Sequence, residues 1–234
     1  INAAHLLKFK TRQPPPIVPE RIDTSRIVIT EIFADPSPEI GLPLVEFIEV
    51  YNPGSNSADL DKWTFGDAGT KAIITNLTIK PGEYLILCPI ADTLLYKKFG
   101  KTKGISPWPS LGNAGDQITL KSFKQRLVDS VAFSDKWYKS QKKKNGGWSL
   151  EKIDLLFNSC TGFYNWASAV DPIGGTPGRA NSSNKPGSSQ WNIAIETMVY
   201  TSDSTVILTL NSVADTFYLK PAHFIMDNKI GEAN

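Results

Sequence analysis

Apolar and polar residues alternate in short runs along most of this chain, and turn residues cut the runs apart. From Arg26 onward, Ile27, Ile29 and Ile32 are spaced for a strand with a bulge near Glu31. After a Pro/Gly-rich loop, Asp35 to Pro43, comes a second run, Val45–Tyr51. In a regular strand Val45, Phe47, Glu49 and Tyr51 share one face, and Glu46, Ile48 and Val50 share the other. Each face therefore carries a carboxylate. Further short strands are predicted at Trp63–Phe65, Ala72–Ile79, Tyr84–Cys88, Gln117–Lys121, Leu127–Phe133 and Trp148–Ile153. Lys80-Pro81-Gly82, Gly112–Gly115, Ser122–Gln125 and Asn145-Gly146-Gly147 separate them as turns. Asp92–Phe99 reads equally as one short helix or a Lys-bearing loop. Many short strands without a long segment of helical period predict an all-β chain built as a sandwich.

The flanks differ in composition. Residues 1–25 hold a short apolar piece, His5–Phe9, then Pro14, Pro15, Pro16 and Pro19: a strand followed by a stiff linker. From Asp171 the chain turns to Gly, Pro, Ser and Asn. We place the end of the main domain at residue 181 and a linker over 182–191. Ala194–Tyr200, Thr205–Leu210 and Thr216–Leu219 then predict strands of a partial second β domain, 192–234.

Charge narrows the function classes only slightly. Among 234 residues, 25 Lys and Arg against 23 Asp and Glu leave +2, so bulk charge does not predict nucleic-acid or membrane binding. No apolar run reaches the roughly 18 residues of a membrane span. The 17 glycines and 16 prolines agree with short elements, and six tryptophans supply core volume. His5 and His223 are the histidines, Cys88 and Cys160 the cysteines. They are too few for a multi-His or Cys-rich zinc site, and a Ser–His–Asp triad would need a histidine near a terminus.

The middle of the chain resembles the lamin-tail domain, in the form found in secreted and cell-surface bacterial proteins. Ile29-Thr30-Glu31-Ile32 with Asp35-Pro36 looks like its opening strand, and Glu46–Asn52 like its EFIE-x-YN strand. Leu60, Trp63 and Asp67, and Pro81-Gly82-Glu83-Tyr84, resemble the segments that follow. Gly115-Asp116, Asp129-Ser130-Val131, Gly147–Glu151, Asn165-Trp166 and Gly175-Thr176-Pro177-Gly178 resemble the later ones. The resemblance covers about residues 26–181. It implies an immunoglobulin-like β-sandwich that acts as a non-catalytic interaction module. The segment from Val199 to Leu210 is similar to the start of a bacterial Ig-like domain. No heptad rod is present, so the resemblance implies an exported bacterial setting, extracellular or at the cell surface, rather than a nuclear one.

The residues with chemical potential are weighed against this expectation. Glu31, Asp35, Glu46, Glu49, Asp59, Asp61 and Asp67 supply oxygens of the kind Ca²⁺ prefers, but no Asp-x-Asp-x-Asp-Gly loop is present; no metal or cofactor is expected. Glu46 and Glu49 as a glycosidase pair would lie on opposite strand faces, roughly 10 Å apart along the strand. Glu49 is expected to be a structural carboxylate, partly buried and hydrogen-bonded. Trp63, Trp148 and Trp166 fall in the family-like motifs and are expected in the core. Trp108, Trp137, Tyr138, Lys139, Lys142, Lys143 and Lys144, with Lys136, form the candidate binding set of exposed aromatics and a Lys loop. Cys88 and Cys160 are either a disulfide, closing a loop of about 70 residues and adding roughly 4 kcal/mol, or two buried thiols. The resulting expectation is a protein-interaction or scaffolding module within a larger assembly. The alternative is a carbohydrate- or polyanion-binding module using the exposed Trp residues and the Lys loop.

Overall fold

The computed structural model describes residues 26–155, 162–186, 195–202, 205–210, 225–226 and 231–232. The expected strand and linker of residues 1–25, the strand at Thr216–Leu219, Cys160, Trp191 and both histidines lie outside the described residues.

The strands in chain order are β1 (Val28–Phe33), β2 (Phe47–Tyr51), β3 (Ala58–Asp59), β4 (Thr64–Gly66), β5 (Lys71–Ile73), β6 (Thr78–Ile79), β7 (Tyr84–Pro89), β8 (Thr102–Ile105), β9 (Gly115–Lys121), β10 (Leu127–Ser134), β11 (Leu150–Lys152) and β12 (Trp166–Ser168). One sheet has the order β12-β11-β1-β2-β7-β8, and a second has the order β10-β9-β4-β5. Pairing is antiparallel except between β7 and β8. Two sheets around one core make an immunoglobulin-like β-sandwich. The ribbon β3–β6 is hydrogen-bonded to neither sheet, although its Ala58 and Ile79 join the core. Beyond the sandwich, β13 (Ile195–Ser202) and β14 (Thr205–Leu210) form an antiparallel hairpin, and two-residue strands at Ile225–Met226 and Gly231–Glu232 pair with each other.

A local irregularity decides which side chains of β1 face which way. Its pairing with β2 shifts between Ile29 and Glu31. The extra residue resets the two-residue period, so Ile29 and Ile32, three apart, both enter the core between the sheets. Glu31 and Phe33 then point to the outer face. In β2, Ile48 and Val50 face the core; in β7, Leu85 and Leu87 do so. Phe33, Phe47, Ile86, Cys88 and Tyr96 make a second cluster on the outer face. The six-stranded sheet is thus buried on both sides.

Two segments cover that outer face. One follows β7: a 3-10 turn at Ile90–Asp92, then helix α1 (Thr93–Tyr96). Tyr96 stacks edge-on against Phe47 at 5.1 Å, and its hydroxyl donates to the Val45 carbonyl. The other is the stretch 171–186. The sequence assigned 182–191 to a linker, but Lys185 N–H donates to the Ile153 carbonyl and Asn181 Nδ2 donates to the carbonyls of Thr30 and Lys152. The sandwich therefore includes residues beyond 181. Small side chains let this backbone lie directly on the sheet.

Other expectations are corrected in detail. The single strand expected over Ala72–Ile79 is two strands, β5 and β6. Asn76 takes a φ of +50° between them, and its N–H donates to Asp61. Strand β8 was not expected, because Lys101–Gly104 carries no alternating pattern. It pairs through Gly104, where an added Cβ would sit 2.4 Å from Thr93 Oγ1.

Candidate functional site

The chemically unusual place is the polar half of the outer face. Glu31 pairs in register with Glu49 of β2 on one side and Glu151 of β11 on the other. Three carboxyl groups therefore stand side by side on one sheet face, and all three residues are 0% exposed. Burying carboxylates this way is costly unless they are hydrogen-bonded or neutral.

The stretch 174–183 supplies most of the hydrogen bonds, and Ser149 and Thr30 supply the others. Glu31 Oε1 accepts from Thr176 N–H at 2.7 Å and from Ser149 Oγ at 2.5 Å. Glu151 Oε1 accepts from Thr176 Oγ1 at 2.7 Å, and its Oε2 accepts from Ser183 N–H at 2.7 Å; Ser182 Oγ lies 2.9 Å from both oxygens. Glu49 accepts from Gly178 N–H at 2.5 Å and Thr30 Oγ1 at 3.0 Å. Gly178 has a φ of +83°, and a Cβ there would meet the Phe99 carbonyl at 2.1 Å. Only glycine permits this approach.

Proton occupancy follows from the same geometry. Burial first, then repulsion from Glu151, pushes Glu31 up to about 8; the Ser149 and Thr176 bonds oppose the rise. Burial, then repulsion from Glu31, holds Glu49 well above the usual carboxylate range. Near neutral pH Glu31 thus retains its proton. Thr176 Oγ1 lies 3.5 Å from Glu31 Oε2, between that carboxyl and Glu151. The group is a structural knot that joins three strands to the covering stretch, and its complete burial denies a substrate access.

Glu46 sits apart from the knot. Its carboxylate accepts from Trp108 Nε1 at 2.6 Å and from Leu111 N–H at 3.1 Å. Burial raises its pKa. Trp108, expected to be an exposed binding aromatic, is partly buried against the core and lies 5.7 Å from Phe65. The correction has a physical origin: burying the indole also places its N–H on a carboxylate.

The Lys loop is corrected in the same way. Trp137 and Tyr138 are 8% and 5% exposed, and they pack in the core rather than on a binding surface. Trp137 stacks 6.0 Å from Trp166, and Tyr138 Oη donates to the Trp148 carbonyl at 3.0 Å. Lys139 lies over the Phe163 ring at 4.9 Å, and Lys143 over Trp148 at 4.3 Å, where it also donates to the Ala169 carbonyl. Lys144 pairs with Asp135 at 2.8 Å. Lys142 is exposed on the short helix α2 (Gln141–Lys144). Much of the charge counted for a polyanion is already engaged within the fold.

The remaining candidates have plain places. Trp63 and Trp166 are buried in the core, and Trp148 packs at its border. Cys88 is a free, buried thiol on the outer face, pushed up to about 11 by burial; its expected partner, Cys160, lies outside the described residues. Asp67 accepts from the N–H groups of Gly69 and Thr70, Asp59 from Asp61 N–H, and Asp61 from Asn76 N–H. These carboxylates cap turns. Among the described residues, no group of three or more His, Cys, Asp or Glu is placed to hold a metal ion.

The sequence reading missed Glu151, Thr176, Ser182 and Ser183 as members of the knot. One signal was present: Glu151 follows Leu150 in a strand, and a later Gly-Gly-Thr-Pro-Gly stretch, 174–178, is small enough to lie against such a strand.

No curated protein and no solved structure matches the chain. Residues 21–135 match the family model described as the Lamin Tail Domain, a family of non-catalytic immunoglobulin-like domains, which supports reading the sandwich as a lamin tail domain.

Proposed function

We propose that this chain is an interaction or scaffolding module, working outside the cell or at the cell surface within a larger assembly. The observation that carries the reading is a patch beside the β8 edge of the six-stranded sheet. Ile90, Leu94 and Leu95 are 61%, 74% and 45% exposed within six residues. Single exposed aliphatics are ordinary, but a contiguous group beside a sheet edge suits protein contact. The backbone of β8 bonds to β7 on one side, and the 3-10 turn carrying Ile90 packs against Gly104 of β8. A partner segment adding to this edge would find the apolar patch next to it.

The setting is inferred from the motif resemblance to exported bacterial lamin-tail domains. No described helix is long and apolar enough to cross a membrane. Residues 192–234 fit part of a second Ig-like unit: Val199 and Ile207 pair across the β13–β14 hairpin and are both about half exposed. An isolated two-stranded hairpin needs a further surface to cover such a face.

The test is a pull-down from the native source, at low and moderate salt, with the 234-residue chain and its Leu94→Glu variant as parallel baits. A protein partner retained at moderate salt by the parent and lost by the variant is the expected result. Equal capture by both baits removes the patch from consideration. Recovery of glycan or nucleic acid alone, lost as salt rises, overturns the protein-interaction reading.

A further inference from the structure

We propose that residues 174–183 form a proton-held strap over the outer face of the six-stranded sheet: closed while the Glu31 carboxyl, set between Glu49 and Glu151, keeps its proton, and released as it gives that proton up. The geometry carries the idea. The strap is fastened to this part of the sheet largely through carboxyl oxygens, by way of Thr176, Gly178, Ser182 and Ser183. The three carboxyls occupy neighbouring register positions in one plane of strands, with no water-facing surface. Each charge added there is placed next to its neighbours in a dry site.

Arg179, on the strap, lies near Glu31, but its guanidinium is bound to Asp171 at 2.6 Å and its side chain is half exposed. It offers the knot only a screened charge. Lys143 is within electrostatic reach of Glu151, yet donates to the Ala169 carbonyl. Tyr51 shares the face of Glu49 two residues on and stacks 4.4 Å from Tyr84 of β7; burial raises the phenols of Tyr84 and of Tyr96 of α1, so these two stay neutral. Lys152 alternates to the inner side of β11, beside Asp129. Among the described residues, none of these cations forms a direct ion pair with Glu31, whose charge burial and Glu151 both oppose.

The consequence is directional. In the closed state Glu31 titrates at about 8; with the strap lifted, water restores an ordinary carboxyl, near 4.5. Between these limits lifting releases a proton, so the open fraction grows about tenfold per pH unit for each proton lost. Above the closed-state value the gain levels off.

Arg179 provides the reporter, because trypsin can cut after it only when the strap leaves the sheet. The full chain is digested briefly between pH 6 and 9, and each cleavage rate is divided by that of an unstructured peptide with the same sequence around Arg179. The parent is expected to rise about tenfold per unit between pH 6 and 8 and then flatten. The Glu31→Gln/Glu49→Gln variant keeps the acceptors without the ionisation, and its rate is expected to stay level within about twofold. Hydrogen exchange of the parent at Thr176 and Gly178, corrected for intrinsic rate and set against Leu87 in β7, gives an independent reading. Strap amides must lose protection with rising pH while Leu87 keeps it. A level parent rate, an equal slope in the variant, or joint loss of protection at Leu87 overturns the strap.

Discussion

Replacing Asp129 with Ala should cost this domain about 3 kcal/mol, from two separate losses at one point between the sheets. Asp129 stands in β10, where the pairing with β9 shifts between Leu127 and Asp129, and it faces the shifted part of β1. Its Oδ2 accepts from Ile29 N–H at 2.8 Å, and its Oδ1 accepts from Ser130 N–H at 2.8 Å. Ile29 is completely buried, and β11 reaches only as far as Glu31 and Ile32. The Asp129 carboxylate therefore substitutes for a missing ladder partner. An orphaned buried N–H costs about 1–3 kcal/mol. Asp129 Oδ2 is also 4.0 Å from Lys152 Nζ, whose side chain is 7% exposed. Breaking a buried ion pair costs about 3–5 kcal/mol, but here the distance is long and Asp154 shares the charge, so the lower part of that range or less applies. The losses overlap, since both include resolvation of the same cleft. Urea unfolding followed by tryptophan emission reads the change, with Trp63, Trp137 and Trp166 as buried reporters. Asp129→Asn keeps an acceptor for Ile29 N–H and should lose about half as much. The Asp129→Ala/Lys152→Met double variant should be more stable than Asp129→Ala alone, because no ammonium is left unpaired. A loss below about 0.5 kcal/mol for Asp129→Ala, or strict additivity in the cycle, would refute the clasp.

Three further outcomes are expected. Stability should fall as pH rises from 5 to 8, by up to about 1.4 kcal/mol per unit for each proton involved. The sign follows from Glu31: below its unfolded value both states are protonated; above it the unfolded chain ionises first, and the loss is complete once the native group titrates at about 8. Glu83, Asp135 and Asp171 are shifted downward, so their contributions change only at lower pH. Melting of Glu31→Gln across this range should be flatter than that of the parent, and an identical slope would remove Glu31 as the source. Glu46→Gln should lose about 1–2 kcal/mol in urea, because Trp108 and Leu111 exchange a charged acceptor for a neutral one. Gly178→Ala should lose at least about 2 kcal/mol by calorimetry, since a Cβ meets the Phe99 carbonyl and the positive φ becomes strained.

The strand framework was legible because burial on alternating positions leaves a direct trace. Ile27, Ile29 and Ile32 carried even the bulge, since three-residue spacing between two core isoleucines has no other explanation in a strand. The Val45–Tyr51 alternation likewise gave β2 its two faces. What stayed hidden depends on contacts across sequence. Trp137 beside five lysines reads as an exposed loop, but Trp166, 29 residues later, supplies its stacking partner. Trp108 reads as free until Glu46 arrives from 62 residues away. Strand β8 is set by pairing with β7, and no pattern within Thr102–Ile105 announces it.

The strap is the most instructive failure, because the property that concealed it is the one it needs. Gly, Ser, Thr and Asn read as a linker, since a packed core requires apolar mass that they lack. On this sheet the surface to be covered is carboxyl, and apolar mass would be the wrong cover. Backbone N–H groups and short hydroxyls brought within 3 Å satisfy it, and residues without bulk reach that distance. A run of small polar residues after the last strand of a sandwich should therefore be read together with the strands it can reach. Where those strands place glutamates on a face otherwise filled by Phe33, Phe47 and Ile86, the run belongs to the fold.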